Sequence, residues 1–170
     1  MKQPLYLCPG GVAKLREDGH RGLWYDKFCD KWREGWHLKP DPGEKGSPKL
    51  AWINEIAGTP VGDPSDIHAY AQRIERLVAA RGGAVVAVVS RTRFVTGLGL
   101  SHPVENGFAW HPTLGTPYLP GSSLKGLVRA WAVHQKMTSH KHLTEILGDV
   151  GQAGTVALLD AVPLAPVRLE

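Results

Sequence analysis

Cysteine is scarce in this 170-residue chain: Cys8 and Cys29 are the only two, they lie far apart, and they form no CxxC pair. That excludes a disulfide-stapled secreted scaffold and a cysteine-rich zinc module, and both thiols read as free in a cytoplasmic protein. Long apolar runs are missing as well. The longest aliphatic stretch, Ala84 to Val89, is too short to span a bilayer, and Lys2 is followed by Gln3, Pro4 and glycines instead of an apolar leader. Export and membrane insertion are therefore not expected. No tandem repeat breaks the chain into equivalent parts.

What is present is an ordinary globular mixture, with 42% hydrophobic and 21% charged residues, enough for one core of common size. Twenty basic against sixteen acidic side chains give a formal charge of +4, and the pI of 9.2 leans toward an acidic partner. The excess is too small for a tail that coats nucleic acid.

Periodicity predicts the elements. Tyr25, Phe28, Cys29, Trp32 and Trp36 recur at three- and four-residue steps, an apolar stripe on a short helix from Leu23 to Trp36. Prolines, glycines and charges from His37 to Pro48 predict a loop. Asp63-Pro64-Ser65-Asp66 is a helix start, and Ile67, Tyr70, Ala71, Ile74, Leu77 and Val78 share one face until Gly82-Gly83 stops the helix. Ala84 to Val95 reads as a strand whose first half, apolar at both parities, is covered on both faces; Arg91 and Arg93 then share an outward face. A second core strand is expected from Gly154 to Ala161, and a short one at Phe108 to His111.

Pro117-Tyr118-Leu119-Pro120-Gly121-Ser122-Ser123-Leu124-Lys125-Gly126-Leu127-Val128-Arg129 carries the chemistry. Gly121 allows a sharp turn and close approach of a ligand, and the first-turn amides of a helix opened by Ser122 or Ser123 lack internal partners. Lys125 adds a point charge and Arg129 a planar fork one turn on, while Leu124, Leu127, Val128 and Trp131 form the expected buried stripe. Gly126 leaves room for a close-packed strand or an approaching backbone. A phosphate seat and a simple glycine turn with solvated cations both fit this pattern. Other phosphate motifs fail when spelled out. Leu127 stands where a Walker loop needs lysine, and His102 stands where the third glycine of a dinucleotide fingerprint belongs.

Arg93-Phe94-Val95-Thr96-Gly97-Leu98-Gly99, the Pro120-to-Gly126 segment with Arg129, Gly154-Thr155-Val156, and Leu159-Asp160-Ala161 with Pro163 together resemble the RAMP superfamily of CRISPR-associated proteins. Within it, these segments and Gly22-Leu23-Trp24-Tyr25-Asp26-Lys27-Phe28 are most similar to the sixth-subunit family of the Cmr (type III-B) effector complexes. The resemblance implies an α+β, ferredoxin-like (RRM-like) domain over residues 63–170, incomplete at its C-terminus, behind an N-terminal helical extension over residues 1–62. It further implies a non-catalytic role in antiviral defence: gripping the backbone of the guide (CRISPR) RNA near its 3′ end, beside other Cmr subunits, with target RNA met indirectly and no cofactor or metal. The residues expected to face RNA are Gly121, Ser122, Ser123, Lys125, Gly126, Arg129, Arg91, Arg93 and Trp110. Relatives usually continue well past Pro163, so a shortened chain with an exposed sheet edge is expected.

Two alternatives stand beside this reading. His102 and His111 are the candidates if the chain cleaves guide precursors without metal, although spacing supplies no partner acid or base. The aromatic segment from Leu23 to Trp36 is the candidate if the chain is a protein-docking module. His134, His140, His142 and Asp149 lack the tight spacing of a zinc site, and Asp160 reads as a strand-end turn residue.

Overall fold

A computed structural model of the chain describes residues 6–8, 11–17, 19–38, 40, 45–104, 107–137 and 139–170. In chain order its elements are β1 (Leu7–Cys8), β2 (Gly11–Val12), α1 (Arg21–Lys27), α2 (Pro48–Asn54), β3 (Pro60–Val61), α3 (Pro64–Ala80), α4 (Gly121–His134), α5 (His140–Leu147) and β4 (Val167–Arg168). They fall into two compact units, one comprising Met1–Pro117 with Pro163–Glu170, the other Tyr118–Val162.

The first unit is built on α1. His20 caps it, its Nδ1 accepting the amide of Leu23 at 2.9 Å, and Lys27 sits favourably in the last turn. The helix ends at Phe28, well short of the Trp36 that the aromatic periodicity predicts. The reason is local: Gly35 and Trp36 take φ values of 74° and 58°, which no α-helix contains, and Arg33 bridges to His37 around them. An early end leaves the carbonyl of Tyr25 without a helical partner. Trp52 Nε1 donates to that oxygen at 3.1 Å, and His102 Nε2 lies 3.2 Å from it.

Trp52 belongs to α2, which starts where the expected His37-to-Pro48 loop ends and for which the sequence reading named no element; Ser47 precedes it and Pro48 occupies its first turn. Trp24, Tyr25, Cys29, Trp52, Ile56, Val61, Val104 and Trp110 form one core. Residues of the N-terminal extension thus share a core with residues beyond position 100. Gly22 is there because Trp110 packs on it: a Cβ at Gly22 would lie 2.7 Å from Trp110 Cγ. The antiparallel β3–β4 pair, Pro60 opposite Arg168 and Val61 opposite Val167, ties the last residues to the same unit.

α3 follows its sequence signals. Asp63 Oδ1 accepts the amides of Ser65 and Asp66 at 2.8 and 3.1 Å. At the other end Gly82 (φ 66°) and Gly83 donate back to Ala79 and Val78 in a Schellman motif. Of its apolar face, Ile67 is fully buried and Leu77 half exposed.

The strand expected from Ala84 to Val95 pairs with nothing among the described residues. No backbone hydrogen bond forms along it, and Val86, Val88 and Val89 are 75, 80 and 91% exposed. β1–β2 and β3–β4 are the two sheets among the described residues, so the four-stranded ferredoxin-like sheet is not formed there. The architecture is helical with two short antiparallel pairs.

In the second unit, α5 begins within the polar, histidine-bearing stretch from His134 to His142 and continues to Leu147. Ser139 caps it, and the helix buries Leu143 and Leu147 against Ala132 of α4, with Leu158 alongside. The expected strand from Gly154 to Ala161 forms no strand: two of its amides turn to α5, Thr155 donating to Glu145 and Val156 to Ile146, and its last residue bridges to Leu119. With no sheet under α4, its expected buried stripe is largely exposed, Leu127 at 59% and Trp131 at 61%.

Candidate functional site

The tip of α4 is fixed by a remote segment. Leu119 and Ala161 exchange two backbone hydrogen bonds, both 2.9 Å, which brings Asp160 against the start of the helix. Asp160 Oδ1 accepts the Gly121 amide at 2.7 Å. Glycine is required at 121, because a Cβ there would lie 2.3 Å from the carbonyl oxygen of Leu158.

The helix begins at Gly121 with Pro120 in the capping position, so neither serine caps it. The first-turn amides divide accordingly. Gly121 is taken by Asp160, Leu124 donates to the Pro120 carbonyl at 2.9 Å, and Ser122 and Ser123 keep unpaired amides on exposed residues. The donors of Ser122 and Ser123, with the positive end of the helix behind them, can take an anion. Leu124, expected among the unpaired donors, is not one of them.

Lys125 and Arg129 lie one turn apart and are both half-buried. Arg129 Nη2 donates to the Gly148 carbonyl past the end of α5, which uses one arm of its fork and leaves the rest of the guanidinium to a ligand. Gly126 faces open space, with nothing within 4 Å of a Cβ built there. Asp160 opposes anion binding directly at Gly121, so the anion-accepting part of the tip is displaced toward Ser122 and Ser123.

Six expected RNA-facing residues, Gly121, Ser122, Ser123, Lys125, Gly126 and Arg129, are thus gathered in the second unit. Arg91, Arg93 and Trp110 belong to the first. Arg91 is exposed, and Arg93 makes a solvated ion pair with Glu170 at 3.1 Å. Trp110 is a correction: at 9% exposure, with Gly22 against its ring and Tyr25 and Phe108 around it, no face is left for a base. Asp160 is the residue whose part in the site sequence reasoning missed. It stands 39 positions from Gly121, and nothing local to either residue announces the pairing.

The histidines weighed for catalysis are packed. His102 stacks on Tyr25 with centroids 4.3 Å apart, and its Nδ1 accepts the Val104 amide at 3.1 Å. Burial lowers its pKa, partly offset by the Tyr25 carbonyl and by Asp26 at 3.5 Å. Burial likewise pushes the Tyr25 hydroxyl up to about 12, helped by Asp26 and Cys29. His111 is 6% exposed and lies edge-on to Tyr70, with Thr113 Oγ1 3.2 Å from its Nδ1. Among the described residues no three His, Cys, Asp or Glu side chains gather to hold a metal, so His134, His140, His142 and Asp149 are not brought together. The aromatic segment weighed for docking places Trp24, Tyr25 and Cys29 in the core and leaves Leu23 and Trp36 exposed. No helix among the described residues is long and apolar enough to cross a membrane.

Residues 87–168, which include the whole α4 tip and Asp160, match the RAMP superfamily. The chain is similar to the CRISPR system CMR subunit Cmr6 of Saccharolobus solfataricus, 30% identical over 82 residues. That match covers 46% of this chain and 28% of the relative's length. No solved structure matches.

Proposed function

We propose that this chain is a non-catalytic RNA-binding subunit of a CRISPR type III-B (Cmr) effector complex, a cytoplasmic ribonucleoprotein of antiviral defence. It holds the sugar-phosphate backbone of the guide RNA near its 3′ end and docks to neighbouring subunits. The family match supports the class. The α4 tip carries the mechanism: two unpaired amides at Ser122 and Ser123, exposed hydroxyls beside them, and Lys125 and Arg129 on the next turn. Such a tip contacts phosphate oxygens and reads no bases. In this reading residues 63–170 form a RAMP domain that completes its ferredoxin-like sheet within the assembly. Residues 1–62 are an extension, and the exposed Leu127 and Trp131 of α4 meet protein neighbours.

Salt dependence tests this. Binding of single-stranded RNA weakens with ionic strength because phosphate contacts release counterions, at about 0.7 log units of affinity per log unit of salt for each contact. Lys125→Ala with Arg129→Ala weakens binding equally across unrelated sequences and flattens the slope by about 1.4. A double variant with unchanged affinity and slope places RNA contact elsewhere and leaves docking as the function of α4.

A further inference from the structure

His20 and His102 are built into the first unit in the same way. In each ring Nδ1 accepts a backbone amide close in sequence, that of Leu23 at 2.9 Å and that of Val104 at 3.1 Å. In each ring Nε2 lies against a carbonyl far along the chain, that of Pro112 at 3.0 Å from His20 and that of Tyr25 at 3.2 Å from His102. The two rings are therefore reciprocal staples between the α1 region and the stretch holding Val104, Trp110 and Pro112. An amide N–H only donates and a carbonyl only accepts, so both neighbours of each ring dictate one form, with Nδ1 bare and the proton on Nε2.

A second proton has only Nδ1 to go to. There it sets one N–H against another across the existing contact, and the ring cannot turn to relieve the clash without giving up its Nε2 bond. For His102 it also buries a charge, because that side chain is 2% exposed and its ring stacks on Tyr25 with centroids 4.3 Å apart. The charged groups around the pair are few. Asp26 lies 3.5 Å from His102 and also acts on His20, whereas Lys27 on the same helix and Arg21 next to His20 in the chain are cations. The turn from Pro112 to Thr116, which packs on His20 through Gly115, brings no charged side chain. One carboxylate cannot neutralise two imidazolium ions. Burial, the largest influence on Asp26, raises its pKa from 3.8, so its charge fades early in acid.

We propose that His20 and His102 form an acid-operated latch: protonation of both rings releases α1 from the stretch holding Val104 and Pro112, while α3, capped separately by Asp63, stays folded. The surface released is aromatic, because Trp24 and Tyr25 of α1 share a core with Val104 and Trp110. The latch uses no residue of the α4 tip and stands or falls without it.

Imidazole nitrogen spectra of the isotope-labelled full chain test the latch. At about pH 7.5 both rings are expected in the Nε2–H form. Below about pH 6.5 they lose it together, with the amide signals of Leu23 and Val104 and the indole signal of Trp110, while the α3 amides hold. Linkage sets the steepness: the open-to-closed ratio rises about a hundredfold per pH unit when two protons drive it and about tenfold when one does. His20→Asn with His102→Asn keeps a side-chain oxygen for each amide, takes no proton in this range and abolishes the step, while each single variant leaves a step of about tenfold per pH unit. If the double variant does not fold at neutral pH, the tautomers and the steepness of the parent decide. Either ring carrying its proton on Nδ1, a one-proton step in the parent, a step surviving in the folded double variant, or loss of α3 in the same transition overturns the latch.

Discussion

Asp160 Oδ1 sits 2.7 Å from the amide nitrogen of Gly121, so the first donor of the α4 tip is already answered by a carboxylate of the chain itself. That contact stabilises the helix start, because a negative charge at the positive end of a helix is favourable. It also sets a limit on anion binding, since an incoming phosphate meets the same charge.

Separating those two effects gives the first prediction. Asp160→Asn keeps an acceptor for Gly121 and removes the charge, so RNA affinity rises and the fold holds. Asp160→Ala leaves the part-buried amide unanswered and lowers unfolding stability by about 1–3 kcal/mol. Filter binding and urea titration of the two variants read the two effects. Equal RNA affinity in Asp160→Asn and the parent would show that phosphate does not approach this tip.

A second prediction concerns the first unit. Gly22 packs on the Trp110 ring so closely that a Cβ would reach 2.7 Å, against three ring or Cβ atoms of one rigid side chain. Gly22→Ala therefore forces apart α1 and Trp110. Helix propensity alone would favour alanine by about 1 kcal/mol, but overpacking outweighs it, and a net loss of about 1–3 kcal/mol is expected in urea unfolding. A gain in stability would mean that α1 is free to move away from Trp110.

The sequence was most legible where a signal is local. Asp63 with Pro64 and the Gly82-Gly83 stop delimit α3 because capping and left-handed backbone are properties of a few adjacent residues. The presence of a helix just after Pro120 was legible for the same reason, although Pro120 and not Ser122 or Ser123 takes the capping position. The end of α1 was not, because apolar spacing continues through Trp32 and Trp36 while the backbone turns at Gly35 and Trp36. α2 was hidden behind a proline- and glycine-rich run, and its Trp52 is held by a carbonyl 27 residues away. Ala84 to Val95 shows the converse. Its composition is that of a strand, but a strand needs partners, and composition carries no information on whether they exist. From sequence Asp160 reads as a turn residue, because only the Leu119–Ala161 pairing reveals what it reaches.

The third prediction is a pH dependence. His102 is neutral when buried, and burial holds its folded pKa below the ordinary 6.5. The unfolded chain therefore binds more protons between those two values, and stability present above pH 6.5 is lost as pH falls through that window. Asp26 is shifted the opposite way, raised from 3.8 chiefly by burial, so its effect has the opposite sign, with stability falling as pH rises through its own titration. Melting temperature should climb as pH rises toward the ordinary histidine value of 6.5 and level above it, with His102→Gln less stable throughout but flatter in that window. A parent protein with no such climb would mean that His102 titrates in the fold as it does in water.

The last prediction rests on the unpaired run from Ala84 to Val95. Every residue in it is exposed, its backbone donors and acceptors have no partners, and its first six residues are alanine and valine without charge. A bare apolar strand of this kind templates pairing with any other extended chain, and proteins guard such edges with lysine, proline or bulges. This run has none before Arg91. The isolated chain is therefore expected to self-associate, through this run, as its concentration rises. Val88→Lys places a charge at a residue that is 80% exposed, where no native contact is lost. It should leave the melting temperature of dilute protein unchanged while shifting sedimentation toward the monomer. If Val88→Lys instead lowers the melting temperature by several degrees at high dilution, Val88 is packed against something within the monomer, and the run is not free.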